Sequence, residues 1–301
     1  MSFSKIHILP RRFQSTCSSK FHPLSENYHT LRHVHFDGIT PFVKGQDIQK
    51  AMVGANLDFK KMEAKIKRQQ NEFKLQGLQL QEFEANFIDR VLTMKPFPTL
   101  LTFEFDNVYT GGKQMKQDPK LPEKIAAYNR LGCEYHQLER GGQVTWHGKG
   151  QLTAYLIMDL KQFSDLTVRC YVDSVLLKSV QNLLKKRYNL ESYVNEHPGV
   201  WITRDDLKIC SVGCNIQRAI TSYGIGLNVR PDLLFLNTHV MCGLPGTRAT
   251  SIQEQVPEFS GSMKEVGQHF AQELAKRLNV STIEHMDGAD LLAEPTKEQT
   301  E

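Results

Sequence analysis

The chain has 301 residues, 40% of them hydrophobic and 23% charged, which excludes wholesale disorder and allows one sizeable core. Its apolar runs are short, as at residues 154–158, so no segment is long enough to span a bilayer, and six cysteines are too sparse for a disulfide scaffold and point to a reducing compartment. The net charge of +4 is accounted for by Lys5, Arg11, Arg12 and Lys20, leaving residues 26–301 neutral; no basic footprint for a nucleic acid is implied.

The first 25 residues contain no acidic residue, six serines, and Ile6, Ile8, Leu9 and Phe13 among the cations. That amphipathic, acid-free pattern is a mitochondrial presequence signature, expected to occupy residues 1–31 and to be cut near 25–31, with a disordered basic tail on a cytosolic protein as the alternative. Residues 45–95 read as a helical extension, with Met52, Phe59, Met62, Ile66, Phe73 and Leu78 near helical spacing. The cations Lys60, Lys61, Lys65, Lys67 and Arg68 between them read as a solvated face rather than a docking surface for an acidic partner, since Glu63 and Glu72 interrupt the run. Pro96 and Pro98 close this region. Strands are expected at 100–105, 151–158, 199–203, 207–217 and 225–229. Helices are expected from the apolar stripe Val168, Val172, Val175, Leu176, Val180, Leu183 and Leu184, with Thr167 as N-cap, and from Val266, Phe270, Leu274 and Leu278. Strands and helices interleave without a strict repeat, so the class is α/β or α+β with a mixed sheet. The last residues, 283–301, form a polar tail.

Three segments carry candidate chemistry. Residues 140–151 place four glycines beside Arg140, Gln143 and His147; glycine lets backbone approach a ligand, but the pattern equally describes a turn-rich hairpin. Residues 207–214 alternate so that Lys208, Cys210, Val212 and Cys214 share one face; by pattern alone a lysine opening a strand beside the acidic turn 204–206 reads as a solvated edge charge. Cys210 and Cys214 lack a second Cys/His pair at ligand spacing, so no metal site is expected. His136, His197 and His239 are scattered singles, read as core or surface histidines. Cys242 precedes Gly243 at a turn, where backbone amides can converge on an oxyanion; a buried inert thiol is the alternative.

These segments, in this order, resemble the lipoyl(octanoyl) transferase family. R-G-G-Q-x-T-x-H-G-x-G-Q is matched from Arg140 to Gln151, K-I-x-x-x-G from Lys208 to Gly213, G-x-x-L-N-V from Gly224 to Val229, and C-G-L at Cys242, Gly243 and Leu244, with Thr250, Ser251 and Ile252 following as T-S-I. The resemblance implies a biotin/lipoate protein ligase-like catalytic domain over residues 32–282, with a large mixed sheet, a smaller sheet and flanking helices, and the helical insertion around 45–95 added to it. It implies Cys242 as an acyl-thioester nucleophile with Lys208 as its partner. Arg140, Gly141, Gly142, Gln143, Val144, Thr145, Trp146, His147, Ser211, Val212, Gly213, Gly224, Ile225 and Gly226 would line the acyl pocket. The implied donor is octanoyl-acyl carrier protein. The implied acceptors are lipoyl domains of 2-oxoacid dehydrogenases and the glycine cleavage H protein, in the mitochondrial matrix, with no cofactor, metal, nucleic acid or membrane involved. Three positions depart from the family: Lys149 and Met241 stand where it has proline, and Tyr223 where it has histidine. An ATP-dependent lipoate or octanoate ligase shares the fold and a related Gly-Gly loop, but not the Cys-Gly-Leu segment. A non-catalytic lipoyl-domain binding protein is the more distant alternative.

Overall fold

A computed structural model describes residue 17, residues 21–238 and residues 248–292. The strands are β1 Thr30–Thr40, β2 Thr99–Phe105, β3 Val108–Gly111, β4 Glu134–Gln137, β5 Val144–His147, β6 Gln151–Ile157, β7 Ser192–Tyr193, β8 Gly199–Ile202, β9 Leu207–Gln217, β10 Ile220–Asn228 and β11 Thr282–Asp287. Eight of them form one sheet in the order β11-β1-β2-β6-β10-β9-β8-β7, and β4-β3-β5 form a second, smaller one. β1 runs parallel to both β11 and β2, while β6, β10, β9, β8 and β7 continue antiparallel. The large sheet is therefore mixed, as the interleaved elements predict.

Both faces of the large sheet are buried at its central strands, where successive side chains alternate between two apolar clusters. Leu152, Ala154 and Leu156 of β6 belong to one apolar cluster, and Tyr155 and Ile157 to another. The first is covered by a broken helix and by α8 Met263–Leu278. The broken helix comprises α4 Val168–Cys170, a π-helical turn Tyr171–Leu177 and α5 Lys178–Tyr188; Thr167 caps it by accepting from the Cys170 amide at 3.2 Å. The second cluster lies under the start of α1 Phe42–Leu75. The small sheet packs its own core against α3 Leu121–Arg130 and α6 Leu234–Asn237. The short helices α7 Ile252–Gln255 and α9 Ala289–Leu292 complete the described chain.

The helical extension is two helices, α1 and α2 Glu82–Thr93. α1 stops where Gly77 takes φ +72° and the Leu78 amide bonds back to the Phe73 carbonyl at 3.0 Å, a reversal glycine makes without a Cβ penalty. All five buried residues of α1 lie between Phe42 and Asn56, and α2 has none. Lys61 and Lys67 pair with Asp58 and Glu63 of their own helix, whereas Lys60 reaches Asp159 at 2.6 Å and ties α1 to the body.

Residues 21–31, read from sequence as the end of a leader, are built into the body. Phe21 and Tyr28 are buried beside Leu31 and Leu100, the Leu24 amide bonds Gln162 at 2.8 Å, and the Tyr28 hydroxyl accepts from the Asp159 amide at 2.8 Å. Cys17 is joined to Cys170 by a disulfide, contrary to the fully reduced thiols that the sparse cysteines suggest. A cut at 25–31 would take Phe21 out of the core. Nor does the polar tail start at 283: β11 continues to Asp287 as the edge partner of β1. β1 escapes a hydrophobic count because two of its inward residues are histidines, His33 and His35, which meet Thr102 Oγ1 at 2.8 and 2.9 Å. β10 also starts five residues earlier than expected, at Ile220.

Candidate active site

A cavity of about 410 Å³ lies where β9 and β10 of the large sheet meet the 138–145 segment of the small one. It brings together Arg140, Gly141, Gly142, Gln143, Val144, Thr145, His147, Lys208, Ser211, Val212, Gly213, Gly224, Ile225 and Gly226. Trp146 is not part of it. β5 turns that indole into the core of the small sheet, where it stacks on Phe235 with centroids 5.3 Å apart.

Arg140 holds the loop that carries it. Its guanidinium donates to the carbonyls of Gly141 and Gln143 at 3.0 Å and to the Thr110 carbonyl and hydroxyl at 2.7 and 2.9 Å. The Gly141 amide donates to the Cys214 carbonyl at 3.0 Å, which fastens the loop to β9. Gly142 sits at φ +82°, so the turn requires a residue without a Cβ.

Lys208 is no solvated edge charge: it is buried at 4% exposure near the start of β9. Its Nζ lies 5.4 Å from the Trp201 ring centroid, and its amide and carbonyl bond Arg248 and Thr250 at 2.9 and 3.0 Å. Gly199 makes room for the lysine stem. A Cβ there would stand 2.5 Å from both Lys208 Cε and the Cys210 carbonyl oxygen, and the φ of +143° already disfavours any other residue. Asn237 accepts from the Ala249 amide at 2.7 Å. The described chain on either side of residues 239–247 is thus tied together, and the returning side is laid against Lys208. Cys242, Gly243 and Leu244 lie outside the described residues, as does His239.

The other thiols at hand are poorly suited to attack. Burial pushes Cys210 and Cys214 up to about 12, against the smaller opposing pull of Lys208 on the first and Arg140 on the second. Both stay protonated near neutral pH. Among the described residues no group of three His, Cys, Asp or Glu side chains is placed to hold a metal ion.

His147 is lowered to about 4 by burial, then by the nearby Arg140 charge, against a smaller opposing hydrogen bond from Gln151. Its tautomer follows from a chain of bonds. The Thr250 carbonyl can only accept, so Asn228 Nδ2 donates to it at 3.0 Å. Asn228 Oδ1 then accepts from Gln151 Nε2 at 2.9 Å, leaving Gln151 Oε1 to accept from His147 Nδ1 at 2.7 Å. The proton is on Nδ1, and Nε2 keeps its lone pair.

The chain matches the family described as Lipoyl protein ligase A/B catalytic domain over residues 76–275. It is 37% identical to the mitochondrial octanoyltransferase of Saccharomyces cerevisiae, covering 93% of this chain and 91% of that one. The chain belongs to the octanoyltransferase family. The Kluyveromyces lactis mitochondrial octanoyltransferase is 39% identical, again over 93% of this chain and 91% of that one. A Homo sapiens mitochondrial octanoyl-[acyl-carrier-protein]:protein N-octanoyltransferase is 36% identical over 53% of this chain and 71% of its own. The fold is similar to that of P. falciparum LipL1 in complex with lipoate, with TM-score 0.52 at 12% identity, covering 87% of this chain and 67% of that one. It is similar also to lipoate-protein ligase A bound with ATP, with TM-score 0.50 at 15% identity, covering 65% of this chain and 80% of that one.

In this octanoyltransferase-family chain the cavity also uses residues that motif reading missed, among them Leu138, Tyr155, Val172, Pro198 and Tyr223. Tyr155 sits in an apolar strand run and looks like core. Val172 arrives on the π-helical turn of a helix read as a plain stripe. Only Tyr223 carried a signal, as a departure from the family pattern.

Proposed function

We propose that this chain transfers an octanoyl group from octanoyl-acyl carrier protein to a lysine of lipoyl domains, through a thioester on Cys242. The observation that carries the reading is the buried Lys208 at one end of a mostly apolar cavity, with the segment returning from Cys242 hydrogen-bonded to the lysine's own backbone. In the first half-reaction the Cys242 thiolate attacks the donor thioester, and the departing pantetheine sulfur takes a proton from the Lys208 ammonium. Exchanging one thioester for another is close to isoenergetic, so no ATP is needed. In the second, the acceptor amine attacks the Cys242 thioester; Lys208 takes its proton, and Cys242 leaves as a thiolate. A nearby cation favours that thiolate, since a free thiol has a pKa of about 8.5. His147, neutral and with Nε2 as an acceptor, lines the acyl pocket.

The acceptors fitting this chemistry are lipoyl domains of 2-oxoacid dehydrogenases and the glycine cleavage H protein, in the mitochondrial matrix. Relatives named mitochondrial support that compartment. The basic leader would then be cut upstream of the packed Phe21. Intact mass spectrometry after mixing the protein with octanoyl-acyl carrier protein, without ATP, tests the reading. One hydroxylamine-labile octanoyl increment is expected on the peptide containing Cys242, and none in Cys242→Ser. An adduct on Cys210, or an absolute need for ATP, would defeat it.

A further inference from the structure

The end of the cavity away from Lys208 is closed by two tyrosines, and an ordinary strand would not put them together. Tyr223, Ile225 and Leu227 are alternate residues of β10 and should share a face. Ile225 and Leu227 do lie in the α5/α8-side core, but Tyr223 belongs to the α1-side cluster with Tyr155. The reason is backbone: Tyr223 has φ +59°, a left-handed conformation that a bulky residue adopts only when its surroundings enforce it.

Helix α1 supplies that enforcement. Gln49, 2% exposed, accepts from the Tyr223 amide, and Gln46 donates to the Tyr155 hydroxyl at 3.0 Å. The two rings then meet edge to face with centroids 5.8 Å apart. In the β9–β10 ladder Tyr223 stands opposite Cys214, six residues along β9 from Lys208, which puts the two at opposite ends of that wall of the cavity.

We infer that Tyr223, braced against Tyr155 by Gln46 and Gln49 of α1, is the floor of the acyl pocket and sets the longest chain the enzyme accepts. The helical extension thereby acquires a role at the site: its first turns position the residue that measures the substrate. This rests on the octanoyl-transfer reading and adds to it a specificity determinant.

The test is competition among octanoyl-, decanoyl- and dodecanoyl-acyl carrier protein in one reaction, read as the mass of the acylated lipoyl domain. The wild type should fall off steeply beyond octanoyl. Tyr223→Gly and Tyr223→Asn, both compatible with the left-handed backbone, should raise the dodecanoyl-to-octanoyl ratio at least roughly tenfold. Tyr223→Phe should retain the wild-type ratio, and Gln49→Ala should shift it in the same direction by less. A ratio is insensitive to how much of a variant folds. Wild-type protein that uses all three donors equally, or a wild-type ratio in Tyr223→Gly and Tyr223→Asn, would overturn the inference while leaving octanoyl transfer standing. A wild type that transfers no acyl group would overturn both.

Discussion

The two ends of the cavity are built on different principles. At the Lys208 end, neighbouring strands and the 248–250 segment hold the lysine through backbone bonds, and a missing Cβ at Gly199 gives its stem room. At the Tyr223 end, side-chain amides from a helix 174 residues upstream hold a residue in a conformation its own strand disfavours. The first arrangement tolerates little variation, because every part touches the lysine. The second is adjustable, because a change in the helix moves the wall and not the proton-handling group. On the proposed function, reaction type and chain length fall to separate parts of the molecule.

Lys208→Ala breaks the comparison most directly. Both half-reactions should slow in single-turnover measurements, by roughly 10²–10⁴-fold if the lysine serves each proton transfer, and higher pH should partly rescue the first. If both rates survived, proton transfer would pass to His147. Gly199→Ala is the next largest effect. Its Cβ must displace Lys208 Cε or the Cys210 carbonyl, so a cost of about 1–3 kcal/mol from the strained backbone, seen as a lower midpoint in urea, should accompany slower acylation. Chain-length preference should remain at the wild-type ratio; a shifted ratio would show that the two ends are coupled.

The smallest effect is on stability against pH. His147 is lowered to about 4 in the fold from an ordinary 6.5. The unfolded chain therefore binds that proton first, and stability is fully present above 6.5 and lost as pH falls towards 4. His33, lowered to about 3 by burial and then by His285, His35 and Lys264, acts in the same direction. Thermal midpoints should decline over that interval, and His147→Gln should flatten the decline. A midpoint flat from pH 7 to 4 would show that the folded protein accepts these protons freely.

Much of the Lys208 end was legible from the chain alone. Glycines, the Arg140 loop and the strand 207–217 are contiguous patterns, and backbone geometry acts over a few residues; the burial of Lys208 was not legible, since by pattern it reads as a solvated edge charge. Trp146 entered with the family's pocket segment taken whole, and a motif does not say which residues of a strand face the ligand; its indole turns into the core of the small sheet. The packing of residues 21–31 was hidden for a related reason: the cations end at Lys20 and Glu26 follows, but only the packed core reveals that Phe21 and Tyr28 are buried.

What tertiary structure alone decided are the long-range pairings. β1 and β11 lie 252 residues apart in register, and β1 hides its inward face behind histidines whose polarity is satisfied by Thr102 and His285. Gln49 and Tyr223 become partners only once α1 lies on the sheet. Each residue's own pattern is local, so ordered motif spacing could point to the family, and through that resemblance to candidate reacting groups. The floor of the pocket depends on which surfaces bury one another, and that is a property of the assembled fold, where an amide distant in sequence stabilises a backbone conformation that no neighbour in the chain would.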